Sequence, residues 1–230
     1  MMERTLGAAA IGLLGVVGGC ATDNRAELYY PLTAGRTWNY AMRIRQGAEP
    51  EARTVEADSM VTNLPAATFD GKAVTPQQTL AFGRPQTRLI TTSEGNIAEV
   101  ATQPDPAGLP IPRVPPNDVL RLPLQIGASW QSTWQSNQLA QTTLIPMTKT
   151  VARIDGRITL PAGDFDRCLV VSIRGRGQVT TASDSIEIAV EGEEWFAPDV
   201  GLVRGTFREE VRGRPANTIR VELELAGYGR

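Results

Sequence analysis

The sequence predicts an all-β protein, a strongly curved antiparallel sheet or half-barrel. Three observations predict it. Apolar and polar residues alternate: Trp38, Tyr40, Met42 and Ile44 against Asn39, Ala41 and Arg43, and Ile219, Val221, Leu223 and Leu225 against Arg220, Glu222 and Glu224. Helical spacing of apolar residues is hard to find over any window of about twelve residues. Turn-forming Gly, Pro, Asn and Asp separate one strand-like stretch from the next.

In chain order, residues 1–19 have the shape of a secretory signal peptide, with Arg4 ahead of the apolar run Leu6 to Val17. That run is short of the roughly 20 apolar residues a membrane-spanning helix needs. It ends in Val17-Gly18-Gly19-Cys20, which resembles the bacterial lipobox. The resemblance implies diacylglycerol on the Cys20 sulfur, cleavage before Cys20 and an acyl chain such as palmitate on the new amino terminus. Ala21 is not the aspartate that commonly retains such proteins at the inner membrane, so the same analogy implies an outer-membrane lipoprotein facing the periplasm. The plain alternative is an ordinary cleaved signal followed by an accidental cysteine. Residues 20–28 read as the lipidated cysteine and its tether, 29–103 as a first β-subunit, 104–120 as a proline-rich loop and 121–230 as a second β-subunit.

Within the first unit, strands are expected at 38–44, 53–61 and 87–101. Six prolines between Pro104 and Pro116 then argue for a long extended loop, a stiff connector or a flap over a binding face, because proline cannot donate to a strand ladder. Further strands are expected at 149–160, 167–180, 185–196, 202–212 and 219–225. One pattern occurs on both sides of the proline segment: Pro31-Leu32-x-x-Gly35-x-x-Trp38 and Pro123-Leu124-x-x-Gly127-x-x-Trp130. Proline fixes the approach, glycine permits the bend and tryptophan opens the next strand. The repeat suggests two related β-subunits, although two good turns ahead of a strand would look the same.

The chemistry is sparse. The 230 residues include no histidine, which removes the commonest general base and zinc ligand. The net charge of -2 gives no basic excess for a nucleic-acid backbone, so no nucleic-acid partner is expected. Only Cys20 and Cys168 could form a disulfide, and lipid on Cys20 leaves Cys168 a lone thiol inside an apolar strand. Glu191, Glu193 and Glu194 read as a solvated strand with Glu194 on the opposite face, and Asp164 with Asp166 lacks the remaining oxygens of a calcium loop. Arg174, Arg176, Arg204, Arg208, Arg212 and Arg214 read as a solvated face, or as a grip on anionic lipid or polysaccharide. No catalytic residue, metal site or cofactor is expected, and the chain reads as no enzyme.

Three motifs resemble a diffuse group of uncharacterised bacterial envelope lipoproteins. They are Tyr30-Pro31-Leu32 with Gly35, Trp38 and Tyr40; Leu160-Pro161-Ala162-Gly163-Asp164-Phe165-Asp166-Arg167-Cys168; and Glu194-Trp195-Phe196-Ala197-Pro198-Asp199-Val200-Gly201-Leu202-Val203. The resemblance implies a curved sheet akin to the half-barrels of the LolA/LolB lipoprotein carriers, and carries no catalytic residue. The expected role is non-enzymatic binding of an apolar ligand or an envelope partner protein, with Trp38, Tyr40, Trp130 and Trp195 as candidate ligand-binding residues. A purely structural envelope protein is the alternative, and a hydrolase using carboxylates a more distant one.

Overall fold

The computed structural model describes residues 25–48, 50–139, 142–180, 185–214 and 217–229, so the expected signal peptide and Cys20 lie outside the described residues. One helical turn, α1 (Ala26–Tyr29), precedes thirteen strands. The first seven are β1 (Thr37–Gln46), β2 (Arg53–Asn63), β3 (Ala67–Phe69), β4 (Lys72–Ala81), β5 (Arg84–Ser93), β6 (Asn96–Gln103) and β7 (Ile111–Leu120). The remaining six are β8 (Ser129–Ser136), β9 (Thr143–Leu160), β10 (Gly163–Thr180), β11 (Ser185–Ala197), β12 (Gly201–Val211) and β13 (Ile219–Gly229).

Twelve of these strands form one antiparallel up-and-down sheet in which sequence neighbours pair, and β13 returns to pair with β1. The short β3 lies off this path against β4, covering the outer cluster of Val74, Leu89 and Ala101. The result is a nearly closed barrel. Its one unlaced seam, between β7 and β8, is held by side chains: Trp130 Nε1 donates to the Asp118 carbonyl (3.2 Å), and the Asn117 amide oxygen accepts from Ser132 Oγ (2.6 Å) and the Thr133 N–H (2.9 Å). The strands on either side of the proline segment thus belong to the same sheet.

Two expectations about this region change. Residues Ile111–Leu120 form β7 instead of continuing the loop, because β7 pairs only with β6 and its outer edge needs no donors. Pro115 and Pro116 fall where the register slips between the Ala101↔Pro112 and Glu99↔Asn117 pairs, so the ladder bulges around them. The tether expected to run to residue 28 is also shorter. Ala26 is fully buried and, with Tyr30, plugs the barrel end against Ile90, Ile97, Leu120 and Phe196.

Both copies of the Pro-Leu-x-x-Gly-x-x-Trp pattern make the same turn. Gly35 and Gly127 take φ of 83° and 86°, a region open to glycine. Gly35 N–H donates to the Asn63 carbonyl and Asn63 N–H returns to Arg36 O; Gly127 N–H donates to the Val151 carbonyl and Val151 N–H returns to Ala128 O. Trp38 and Trp130 are each the second residue of their strand, and both are buried. The first turn is further fixed by Asn63, whose amide donates to the Pro31 and Thr33 carbonyls (3.0 and 3.2 Å).

The opening and late motifs meet at this end of the barrel. Trp38 Nε1 donates to the Val200 carbonyl (2.6 Å) and the Tyr40 hydroxyl to the Leu202 carbonyl (2.8 Å). Gly201, at φ 103°, lets the β11–β12 turn approach Pro31, where an added Cβ would lie 3.4 Å from the ring. The central motif forms the β9–β10 hairpin, tied to β13 by Ala162 N–H on the Leu225 carbonyl and by Phe165 packing on Tyr228.

Candidate functional site

A twelve-stranded barrel is wider than the roughly eight strands whose side chains can fill their own interior. On the β8–β12 side the far end closes on itself, with Ile145, Val179, Ile186, Ile188, Val190 and Val211 in one cluster. The remaining lumen holds a cavity of about 400 Å³. Its floor is the α1 plug, where Tyr30 and Phe196 pack ring to ring at 6.3 Å. Its mouth, at the opposite end, is marked by the exposed Gln86 and Gln135.

One wall is apolar and aromatic, built from Trp38, Tyr40, Trp134, Ile173, Phe207 and Leu223. Trp134 crosses the lumen from β8 to β12, stacks on Phe207 at 5.2 Å and donates its indole N–H to Glu209 (2.8 Å). Glycine makes this stack possible. The Phe207 ring lies over Gly192 and Gly205, where added Cβ atoms would come within 3.0 and 3.1 Å of it.

The other wall is polar. Arg113 pairs with buried Glu99 (2.5 Å), and buried Lys149 with Glu194 (2.8 Å). Arg88 differs from these cations: its Nη2 donates to the Tyr30 oxygen (3.1 Å) and the Gln77 amide oxygen (2.5 Å), and it ion-pairs with no carboxylate among the described residues. Gln77 in turn donates to Asn63 (3.0 Å) and accepts from the Tyr30 hydroxyl (2.7 Å), which links the floor of the cavity to the first turn. Burial raises the pKa of the Tyr30 and Tyr40 hydroxyls, so both are neutral hydrogen-bonding groups at physiological pH.

The four candidate ligand-binding residues divide. Trp38 and Tyr40 line the cavity. Trp130 sits in the core beneath α1, bonded across the β7–β8 seam. Trp195 belongs to the same buried cluster as Trp38 and Tyr40, with Phe165 and Val170, but the Arg153 guanidinium lies 5.1 Å over its ring and its indole bonds Glu193, and neither it nor Trp130 is among the lining residues. Sequence reasoning passed over Trp134, Arg88 and Lys149. Trp134 was signalled by its spacing, since Trp130, Ser132 and Trp134 must share one strand face.

Several of the other flagged groups are paired or enclosed, whereas Arg174, Arg176 and Glu191 are exposed. Arg204, Arg208 and Arg212 meet Glu224, Glu210 and Glu187 at 3.8, 2.6 and 3.2 Å, all three as exposed or partly exposed pairs that contribute little to stability. Glu194 faces the lumen whereas Glu193 bonds Trp195. Cys168 is fully buried, and burial, helped by Asp166, pushes its thiol up to about 11.

No family model matches the chain, and no curated protein matches it. Two solved structures resemble it. A protein described as exported, with a YmcC-like fold, from Bacteroides fragilis is 13% identical, with 88% of this chain and 99% of that chain covered and a TM-score of 0.50. A protein described as a lipoprotein, from Parabacteroides distasonis, is 14% identical, with 88% and 98% covered and a TM-score of 0.47. The first shares the curved, all-antiparallel fold of this chain.

Proposed function

We propose that the chain is a non-enzymatic lipoprotein of the bacterial outer membrane, facing the periplasm, whose barrel binds an apolar ligand. The observation that carries this reading is the cavity of about 400 Å³ walled by Trp38, Tyr40, Trp134 and Phe207. That volume falls at the lower end of the ~300–1,000 Å³ usual for small-molecule sites. The exported neighbour of the same fold and the Val17-Gly18-Gly19-Cys20 motif support the envelope location. Ala26, the first buried residue among those described, follows Cys20 by six positions, a reach of at most ~20 Å. Such a leash sets the α1 end of the barrel toward the membrane and the mouth toward the periplasm. A binding role without catalysis is favoured because the two carboxylates that line the cavity, Glu99 and Glu194, are occupied by cations, and Glu209 beside it is held by Trp134 and Ser136.

The test uses the mature chain from Ala21 onward, which contains every described residue, and N-phenylnaphthylamine, an uncharged dye that brightens in apolar surroundings. Saturable one-site binding, weakened by Trp134→Ala, is expected. Binding that never saturates, or that ignores Trp134, overturns the ligand reading. Intact mass of membrane-extracted protein should begin at Cys20 with acyl additions, and a mature protein beginning elsewhere without them overturns the anchor.

A further inference from the structure

The interruption in the hydrogen-bonded wall lies beside the cavity. β7 and β8 do not pair, and the side-chain bonds that bridge them, from Trp130, Ser132 and Thr133 to Asn117 and Asp118, sit in the floor-side half of the seam. Toward the mouth neither edge supplies a ladder. Three of the ten residues of β7 are prolines, Pro112, Pro115 and Pro116, and proline has no N–H to donate. On β8, Thr133 stands opposite Pro146 of β9, which likewise offers no donor, and its N–H goes to Asn117, so the backbone groups of Thr133 point into the seam. Those of Gln135, two residues on, point the same way, where no strand pairs with them.

The cavity runs into this gap. Trp134 faces the lumen, where it stacks on Phe207, so its neighbours Thr133 and Gln135 face outward, yet both line the cavity together with Arg113 and Asn117 of β7. A space that touches both faces of an edge strand must pass around its edge. The mouth therefore continues down the side of the barrel as a slot that ends at Asn117. Its outer lips are apolar: Leu109 and Val114 on the β7 side are 87% and 88% exposed, Ile111 is exposed with them, and exposed Leu144 of β9 pairs with Gln135. Scattered apolar residues are ordinary on a surface, whereas these four, among nine exposed large apolar side chains, flank one opening. Directly across the lumen lie β1 and β13, each the sixth strand along the sheet from one lip, with Trp38, Tyr40 and Leu223 on the cavity wall.

We propose that the β7–β8 slot is the side port through which one hydrocarbon chain of an amphiphile enters the barrel, its polar end staying at Arg113, Asn117 and Gln135 while the chain crosses the lumen to Trp38 and Tyr40. The frame of the slot is polar and in reach of water, and the wall facing it is aromatic, so each end of such a molecule meets its own kind of surface. The cavity of about 400 Å³ suits one chain and is small for two.

This inference rests on the reading of the barrel as a ligand site, and the experiment separates the two. The mature chain from Ala21 onward, carrying Val114→Cys and Gln135→Cys, is bridged across the slot with a bismaleimide whose linker contains a disulfide; Cys168, its only native thiol, is fully buried and is spared. Cis-parinarate, a polyene chain that fluoresces in apolar surroundings, is then mixed with the bridged and the open forms in a stopped-flow instrument. A port predicts that bridging slows association and release together, each by at least about tenfold, with the affinity kept within about threefold, because a gate changes the barrier and leaves the bound state alone. Cleaving the linker with a reductant should restore both rates. If the bridge does not form, Thr133→Trp, which fills the slot from β8, should slow both rates in the same way. Rates that ignore the obstruction, or an affinity that falls as far as the association rate, overturn the port and leave an end-loaded cavity standing. Failure of cis-parinarate to bind the open form saturably removes the ligand site itself.

Discussion

Replacing Asn63 by alanine tests the joint between the first turn and the cavity floor. Asn63 is fully buried at the end of β2, and its amide spans three partners: the Pro31 and Thr33 carbonyls as acceptors, and the Gln77 amide as donor at 3.0 Å. Alanine removes all three bonds. Thr33 is exposed and its carbonyl can turn to water, and Gln77 lines the cavity, so the Pro31 carbonyl bears most of the loss. A buried polar group left without its partner costs about 1–3 kcal/mol, and with the packing lost from the side chain the variant should be destabilised by about 2–4 kcal/mol. In urea, with a slope near 2 kcal/mol/M, that moves the unfolding midpoint down by about 1–2 M with the slope unchanged. Asn63→Asp should be worse than alanine, since it keeps the volume and turns a carboxylate toward two carbonyls. A midpoint within about 0.3 M of the parent for Asn63→Ala would refute the idea that this amide organises the turn.

Two further outcomes follow from close packing and burial. Gly192→Ala would place a Cβ 2.4 Å from the Thr206 carbonyl, a backbone atom of the paired strand, so the β11–β12 ladder must part and the melting temperature should fall by about 5–10 °C; an unchanged melting curve would contradict the register. Cys168, with its thiol pushed up to about 11, should resist a disulfide reagent at neutral pH in the native protein and react at once after unfolding; rapid native labelling would place that segment at the surface.

The strands that were legible in the sequence are those with one apolar face on the core and one polar face in water. β1 and β13 alternate cleanly for this reason, and they pair with each other to close the barrel. β4 was invisible because its inward residues Gln77 and Thr79 line the cavity, so the strand is polar on the side where the pattern demands apolar residues. β7 was read as loop because the proline rule holds for a strand paired on both edges, and nothing in a linear sequence says that β7 has one free edge. The stretch 87–101 reads as one irregular run because it is two strands joined at Glu94-Gly95, whose φ values of 51° and 76° make a tight hairpin turn. Trp38 and Tyr40 could be placed at the start of a strand, but which aromatic side chains reach the lumen depends on curvature. Trp130 is consumed by the α1 plug and Trp195 by contacts with Glu193 and Arg153, whereas Trp134, in the polar run Gln131 to Ser136, crosses to Phe207.

The same reasoning explains why the lumen is both open and charged. Twelve strands enclose more space than their side chains can fill, and the barrel resolves this by collapsing the β8–β12 side onto an aliphatic cluster. Had the rest of the lumen evolved only for stability, the simplest solution would be more aliphatic side chains, since replacing a buried ion pair by apolar residues of similar volume is often neutral or stabilising. Instead the opposite wall carries Arg113 on Glu99 and Lys149 on Glu194, and both carboxylates also lie within electrostatic reach of Arg88. The aromatic wall and the charged wall face one space, an arrangement matched to a molecule with an apolar body and a polar end.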